Sequence, residues 1–468
     1  MSTLISSVAR SAKKAFDEYQ SIDDPAAKKT EGLRRLKQAL VERKEEILGA
    51  NDLDVQAAEG LVKEGKLSES ILSRLNLRSS ADKFESIVDG IEGVIKLEDP
   101  AGKIESVTKL DEGLELYKVS CPIGVLLIIF EARPEVLVNI AALAVKSGNA
   151  AILKGGKESM KTQEILTTII NEALASCLPA NLIQTISSRS DVDELLQQTQ
   201  FIDLVIPRGS KELVQYIQDH TKIPVLGHAD GLCNIYVDQD ADPEKVIRCV
   251  LDAKTTYPAA CNSVETLLVH RAWLGPAFTE LVLHLLNEKV TLKLDQASLD
   301  VLKSSAEVAS HLLFWSNCSL AREEDFRTEW LSLTLSIKTV ADLGAAIGHI
   351  NQHSSHHTDA ILTESAASGR RFCRAVNSAS VYVNCSTRFA DGYRYGFGTE
   401  IGISTSKIHS RGPVGLDGLV IYKWIMVGGA GRAHITADYG PGKPRQFLHA
   451  KLPVDHPHPF SADAENQQ

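Results

Sequence analysis

The chain has 468 residues, 44% of them apolar and 24% charged, with a formal net charge of −10. That length exceeds what one hydrophobic core serves and implies two or three packed units of ordinary globular composition. The acidic balance excludes a general nucleic-acid binder, which needs a basic face, and the longest apolar run, "IGVLLIIF", is far short of the ~20 residues of a bilayer helix.

In chain order, residues 1 to about 100 read as charge-rich amphipathic helices, as in "GLRRLKQALVERKEEILGANDLDVQAAEG". The N-terminus lacks a long apolar core and a small-residue cleavage site, and Asp17 and Glu18 count against a transit peptide, so a cytoplasmic location is expected. "KIESVTKLDEGLELYKVSCP" follows, two alternating segments about Asp111-Glu112-Gly113, a hairpin of the kind used as an oligomerisation arm. Apolar strands at "GVLLIIF", "AAILKG", "IDLVIPRG", "IPVLGH" and "CNIYVD" then alternate with helical stretches, the rhythm of a parallel α/β sheet. "DADPEKVIRCVLDAKTT" starts a helix with Asp242 at the N-cap and Pro243 after it, and marks a junction. A second α/β unit is expected over 250–415, with strands at "ETLLVH", "SLTLSIKTV", "DAILTE" and "SVYVN"; the end of the chain, 451–468, is expected to be a disordered tail.

Cysteines at 121, 177, 233, 249, 261, 318, 373 and 385 form no CxxC pair, and a chain of this length needs no disulfide staples, so they read as reduced thiols. The sequons Asn317-Cys318-Ser319 and Asn384-Cys385-Ser386 read as chance without a secretory signal. "GLVKEGK" at 60–66 nearly matches a phosphate loop, but residue 67 is leucine where a hydroxyl is needed and no strand precedes it; no GxGxxG occurs. Lys154 and Lys157 in "ILKGGKES" and Arg208 in "VIPRGS" stand at strand ends, where helix N-termini suit an anion; solvated loop cations are the equal alternative. His353, His356 and His357 lack carboxylate and cysteine partners at ligand spacing, so no metal is assigned and a structural or substrate-side role is expected. Cys177, Cys249 and Cys373 lie on helical stretches. Cys261, in "TTYPAACNSVETLLVH", lies instead in a turn between helix and strand, and on position alone it is either a thioester-forming nucleophile or a small core residue.

The strings "YPAACNSVETLLVH", "CPIGVLLIIFEARPEVLVNIAALAVKSGNAAILKGGKES", "IPVLGHADG" and "FGTEIGISTSKIHSRGPVGLDGL" resemble those of the γ-glutamyl phosphate reductases, a family of the aldehyde dehydrogenase superfamily, from about residue 5 to 425. The resemblance implies an α/β, aldehyde dehydrogenase-like fold of two Rossmann-like parallel-sheet domains plus a small oligomerisation hairpin. Residues 1–105 and 121–249 would bind NADPH, 250–415 would be catalytic, and 106–120 with 416–450 would form the oligomerisation or hinge segment. The implied reaction is reduction of L-glutamyl 5-phosphate to L-glutamate 5-semialdehyde and phosphate, the second step of proline biosynthesis from glutamate. Cys261 would be the nucleophile; the cofactor would meet Lys154, Lys157, Arg208, Gly209, Ser210 and, at the nicotinamide ribose, Glu329. A homo-oligomer is implied, and a separate glutamate 5-kinase chain is expected because the reductase region begins almost at Met1.

Two departures from oxidising aldehyde dehydrogenases bear on the chemistry. Their general-base glutamate falls on Val225 and their oxyanion asparagine on Ala132. A site without a water-activating base suits a thioester exchanged with phosphate rather than hydrolysed. The Cys261 backbone N–H and the Asn262 side chain are then the nearest oxyanion donors. For the substrate's charged groups the candidates are Arg133 and Arg411, the run Ser404, Thr405, Ser406 and Lys407, and Glu131 for the ammonium; His228 is a candidate for proton transfer, with a hydrogen-bonded turn histidine as the equal alternative. A generic oxidising aldehyde dehydrogenase and a catalytically dead scaffold are the competing readings, the first disfavoured by Val225 and Ala132, the second by retention of Cys261.

Overall fold

The computed structural model describes residues 2–80, 82–131, 133–186, 188–228, 230–429 and 433–456. Its chain divides into two compact units: one runs to Val205, takes in Thr221–Pro224 and resumes at Gly415; the other comprises Ile206–His220 and Val225–Val414.

The first unit opens with helices Ser2–Tyr19, Pro25–Glu42, Lys44–Lys63, Glu69–Leu75 and Asp82–Lys96. In the second of these Leu33, Leu36 and Leu40 recur at helical spacing and are fully buried, as the amphipathic pattern requires. A four-stranded sheet follows, in the order Ile183–Ile186, Ala150–Lys154, Val125–Phe130, Leu204–Arg208, and of the last strand Leu204 and Val205 belong to this unit. Strands in register run parallel, Val125 opposite Ala150 and Ala151 opposite Ile183. Val125–Phe130 is buried along its whole length, and helix Pro134–Ser147 is buried on nearly every side, so both read as continuous apolar runs, which a sheet covered on two faces demands. Gly148 ends that helix at φ 82°, where an added Cβ would meet Pro122 at 2.7 Å.

The expected hairpin is present. Ile104–Asp111 and Leu114–Pro122 pair antiparallel, and the full sheet runs Val420–Gly428, Leu114–Pro122, Ile104–Asp111, Ala450–Leu452. The last strand corrects the expected tail at its start: Leu452 pairs with Val107 and Ala450 with Lys109, because its amides complete the exposed edge of the hairpin. Residues 457–468 lie outside the described residues.

In the second unit a seven-stranded sheet runs Cys318–Leu320, Thr291–Leu294, Thr334–Val340, Val264–His270, Cys233–Val237, Thr358–Leu362, Ser380–Val383. Every pairing is parallel. Apolar side chains from alternate positions fill both faces, Ile235 and Leu267 on one and Tyr236 and Leu268 on the other. Cys233–Val237 therefore belongs here and not to the first sheet, so the second unit begins well before the expected junction at 250. "IPVLGH" forms no strand; only Val225 makes a bridge, and Pro224 has no N–H to give a ladder. No helix among the described residues is long and apolar enough to cross a membrane.

Candidate active site

The thiol of Cys261 is held by a turn that the fold pins at both ends. Ala260 N–H donates to the Tyr257 carbonyl at 3.1 Å and Ser263 N–H to the Ala260 carbonyl at 2.9 Å. Helix Pro243–Thr255 delivers the chain to this turn and strand Val264–His270 takes it away. Across its base Lys254 Nζ donates to Glu265 Oε2 at 2.6 Å and to the Val264 carbonyl at 2.9 Å, with the two side chains 0% and 1% exposed. Burial raises the Glu265 carboxyl to about 7 and lowers the Lys254 amine, and their ion pair opposes both shifts. Glu265 Oε1 accepts from Leu331 N–H at 3.2 Å, which ties the loop carrying Glu329 to the same strand.

Four loops meet at the amino ends of four neighbouring strands. The loop before Thr334–Val340 brings Glu329, that before Val264–His270 brings Cys261, that before Cys233–Val237 brings His228 and Gly231, and His357 immediately precedes Thr358–Leu362. Glu329 Oε1 accepts from Gly231 N–H at 2.9 Å. A Cβ on Gly231 would lie 2.1 Å from the Cys261 carbonyl oxygen, so no other residue fits while the turn keeps its place. Cys233 Sγ–H donates to that same carbonyl at 3.3 Å.

One ligand atom each of Cys261, His228 and His357 lie within 4.8 Å of one another. His228 Nδ1 donates to the Ile403 carbonyl at 3.0 Å, which fixes the tautomer and leaves Nε2 its lone pair. Burial lowers the basicity of His228, against the pull of Ile403, Glu329 and Glu400. The His357 ring stands edge-on to His228, centroids 5.0 Å apart. The other histidines of its run go elsewhere: His353 stands edge-on to His349, centroids 4.7 Å apart, and His356 sits at φ 60°.

Asn262 is committed within the fold. Its Nδ2 donates to the Ala390 carbonyl at 2.9 Å and its Oδ1 accepts from Arg388 Nη1. Arg388 also lies over the Tyr257 ring, 5.7 Å from its centroid, and its buried Nε has no hydrogen-bond partner among the described residues. Burial, then the neighbouring Arg394, lower its pKa, while the acidic groups around it oppose the shift. Arg388 was not among the sequence candidates; nothing in "STRFADG" separates it from the neighbouring arginines.

Of the remaining candidates, Ser404 is buried in the ribbon Gly402–Ser404 and its Oγ accepts from Ser406 N–H at 3.2 Å. Thr405 is partly buried and Lys407 exposed; Arg411 Nη2 donates to the Asn377 carbonyl at 2.6 Å. Arg208 Nη1 donates to the Glu400 carbonyl at 3.4 Å, Gly209 is exposed, and Ser210 Oγ caps the helix Lys211–His220 at Leu213 N–H, 3.4 Å. Glu131, Arg133, Lys154 and Lys157 belong to the first unit. Glu131 and Arg133 follow the carboxyl end of Val125–Phe130, beside which the strand order reverses, and Lys154 and Lys157 lie at and just beyond the carboxyl end of the neighbouring Ala150–Lys154, the side on which α/β sheets take nucleotides. The helix N-terminus beside Lys157 is already used: Asp54 accepts from Lys161 N–H at 3.0 Å and Thr162 N–H at 2.8 Å. Val225, the position of the oxidising enzymes' base, is partly buried; Ala132 lies outside the described residues.

Two parallel sheets, a hairpin sheet and a cysteine in a pinned turn define the aldehyde dehydrogenase class, and the pattern described as "Aldehyde dehydrogenase family" matches residues 2–300. The chain is 49% identical to a probable gamma-glutamyl phosphate reductase of Schizosaccharomyces pombe, covering 95% of this chain and 97% of that one. It is 46% identical to the gamma-glutamyl phosphate reductase of Saccharomyces cerevisiae, covering 96% and 98%. The crystal structure of the Thermotoga maritima gamma-glutamyl phosphate reductase superposes with a TM-score of 0.84 at 33% identity, over 92% of this chain and 100% of that one. The chain therefore belongs to the γ-glutamyl phosphate reductase family.

Proposed function

We propose that the chain reduces L-glutamyl 5-phosphate to L-glutamate 5-semialdehyde and phosphate, the second step of proline biosynthesis from glutamate. The near full-length likeness to reductases of that name carries the reading. The Cys261 thiolate attacks the acyl carbon, the bond to the phosphate oxygen breaks, and phosphate leaves a thioester. NADPH, when bound, supplies the hydride that reduces it. The thiohemiacetal then collapses, the carbon–sulfur bond breaking as the aldehyde forms and the thiolate returns.

Within this reading the lone pair of His228 Nε2 takes the thiol proton. The Cys261 backbone N–H remains an oxyanion donor. The Asn262 side chain, engaged by Ala390 and Arg388, acts by positioning Arg388, whose charge faces the acyl phosphate. Glu329 keeps one oxygen on Gly231 and offers the other to the nicotinamide ribose. Lys154 and Lys157 serve the adenosine end, with Arg208, Gly209 and Ser210 for phosphate charge, and Glu131, Arg133, Ser404, Thr405, Ser406, Lys407 and Arg411 for the substrate's ends. The cofactor, a cytoplasmic location, a homo-oligomer and a separate kinase belong to the same proposal. For the oligomer, strand Val420–Gly428 presents exposed Tyr422, Trp424 and Met426 on a sheet edge.

The test is NADP⁺ reduction by glutamate 5-semialdehyde with and without inorganic phosphate. Turnover should require phosphate and fall on the order of 10³-fold or more in Cys261→Ala. Phosphate-independent oxidation would favour a generic aldehyde dehydrogenase, and a folded wild type with no turnover would favour a scaffold.

A further inference from the structure

The thiol–histidine cluster carries an observation that acyl transfer leaves unexplained. His357 is 1% exposed, and its Nε2 has no hydrogen-bond partner among the described residues. Its Nδ1 lies 2.8 Å from Thr358 Oγ1. A buried polar atom without a partner costs on the order of 1–3 kcal/mol, so a site that keeps one has something to place on it. His228 brings a second lone pair through Nε2, since its Nδ1–H is spent on the Ile403 carbonyl. Cys261 supplies the third donor, and one ring nitrogen of each histidine and the Cys261 sulfur lie within 4.8 Å of one another.

Two imidazoles and a thiolate form a borderline-soft donor set with no carboxylate, which suits Zn²⁺ and excludes Mg²⁺ or Ca²⁺, whose ligands are oxygens. Three protein donors with one position left open match four-coordinate zinc. Metal–ligand bonds of about 2.0–2.3 Å separate tetrahedral donors by roughly 3.3–3.7 Å, so the cluster needs to contract by at most about 1.5 Å. Cys261 lies in a partly exposed turn outside the regular elements. Cys233, with Sγ 3.8 Å from His357 Nδ1, is not a fourth ligand, because its thiol proton is already given to the Cys261 carbonyl.

We propose that Cys261, His228 and His357 form a Zn²⁺-binding site whose occupation withdraws the nucleophile and reversibly switches the enzyme off. Binding forms one Zn–S and two Zn–N bonds and releases the thiol proton to solvent; no oxidation or reduction occurs. Metal binding stands without the reductase reading, and only its inhibitory consequence rests on that reading.

Co²⁺ is the probe, because a thiolate bound to it gives a near-ultraviolet charge-transfer band. Anaerobic titration of the full chain should show that band at one equivalent, displaced by Zn²⁺. It should vanish in Cys261→Ser and need at least roughly tenfold more Co²⁺ in His357→Ala and in His228→Ala, with circular dichroism unchanged. Should His357→Ala fail to fold, Zn²⁺ should protect Cys261 from iodoacetamide in the wild type and not in His357→Gln. No thiolate–cobalt band at one equivalent, or the same titration in both histidine variants, would overturn the proposal. A band in a chain without reductase activity would leave the metal site standing and remove the proposed function alone.

Discussion

Gly231 shows how tightly the thiol is placed: its N–H is held by Glu329 and its Cα lies against the Cys261 carbonyl, with no space for a methyl group. Cys261 was readable because the string around it is long and unusual. His357 and Arg388 were not, because their importance lies in proximity and not in local pattern. His357 sits 96 positions after Cys261 in a run of histidines that diverge in space, and Arg388 is one of several arginines in its stretch. Arg388 invites a direct test at this scale. If its charge serves an anion at the thiol, Arg388→Gln should lower the rate of Cys261 alkylation by anionic iodoacetate relative to neutral iodoacetamide by roughly 3- to 10-fold. An unchanged ratio would remove Arg388 from the anion site.

Among elements, the strands were read from their apolar runs, but their order was not. Sequence spacing separates Glu329, Cys261, Gly231 and His357, whereas the order Thr334–Val340, Val264–His270, Cys233–Val237, Thr358–Leu362 lines up their amino ends. Nor did any periodicity mark the Lys254–Glu265 pair, since a lysine on a helix and a glutamate on a strand are each ordinary alone. Together they close the turn of Cys261 and anchor Leu331. Lys254→Met leaves the Glu265 charge buried without its partner and should cost about 3–5 kcal/mol, read as a lower denaturant midpoint. Adding Glu265→Met should return most of that stability, since an apolar pair often replaces a buried ion pair without loss. The double variant should still have a depressed kcat, because Leu331 and the Glu329 loop have lost their acceptor. Recovery of kcat together with stability would make the pair purely structural.

Across the whole molecule, two parallel α/β units and a hairpin sheet were foreseeable from the alternation of runs. The boundary was not: membership of Cys233–Val237 is decided by pairing with Val264–His270 and Thr358–Leu362, not by nearness along the chain to the first sheet. The absence of a carboxylate at Val225 was visible at once, and it underlies the central claim, that the Cys261 thioester is discharged by phosphate or hydride and not by water. The most direct test mixes the enzyme with NADP⁺ and glutamate 5-semialdehyde without phosphate, then follows NADPH and intact-protein mass. A burst limited to about one NADPH per site should appear, with a glutamyl group on Cys261 that added phosphate removes. Continuous NADPH production with free glutamate accumulating, and no adduct, would contradict the central claim.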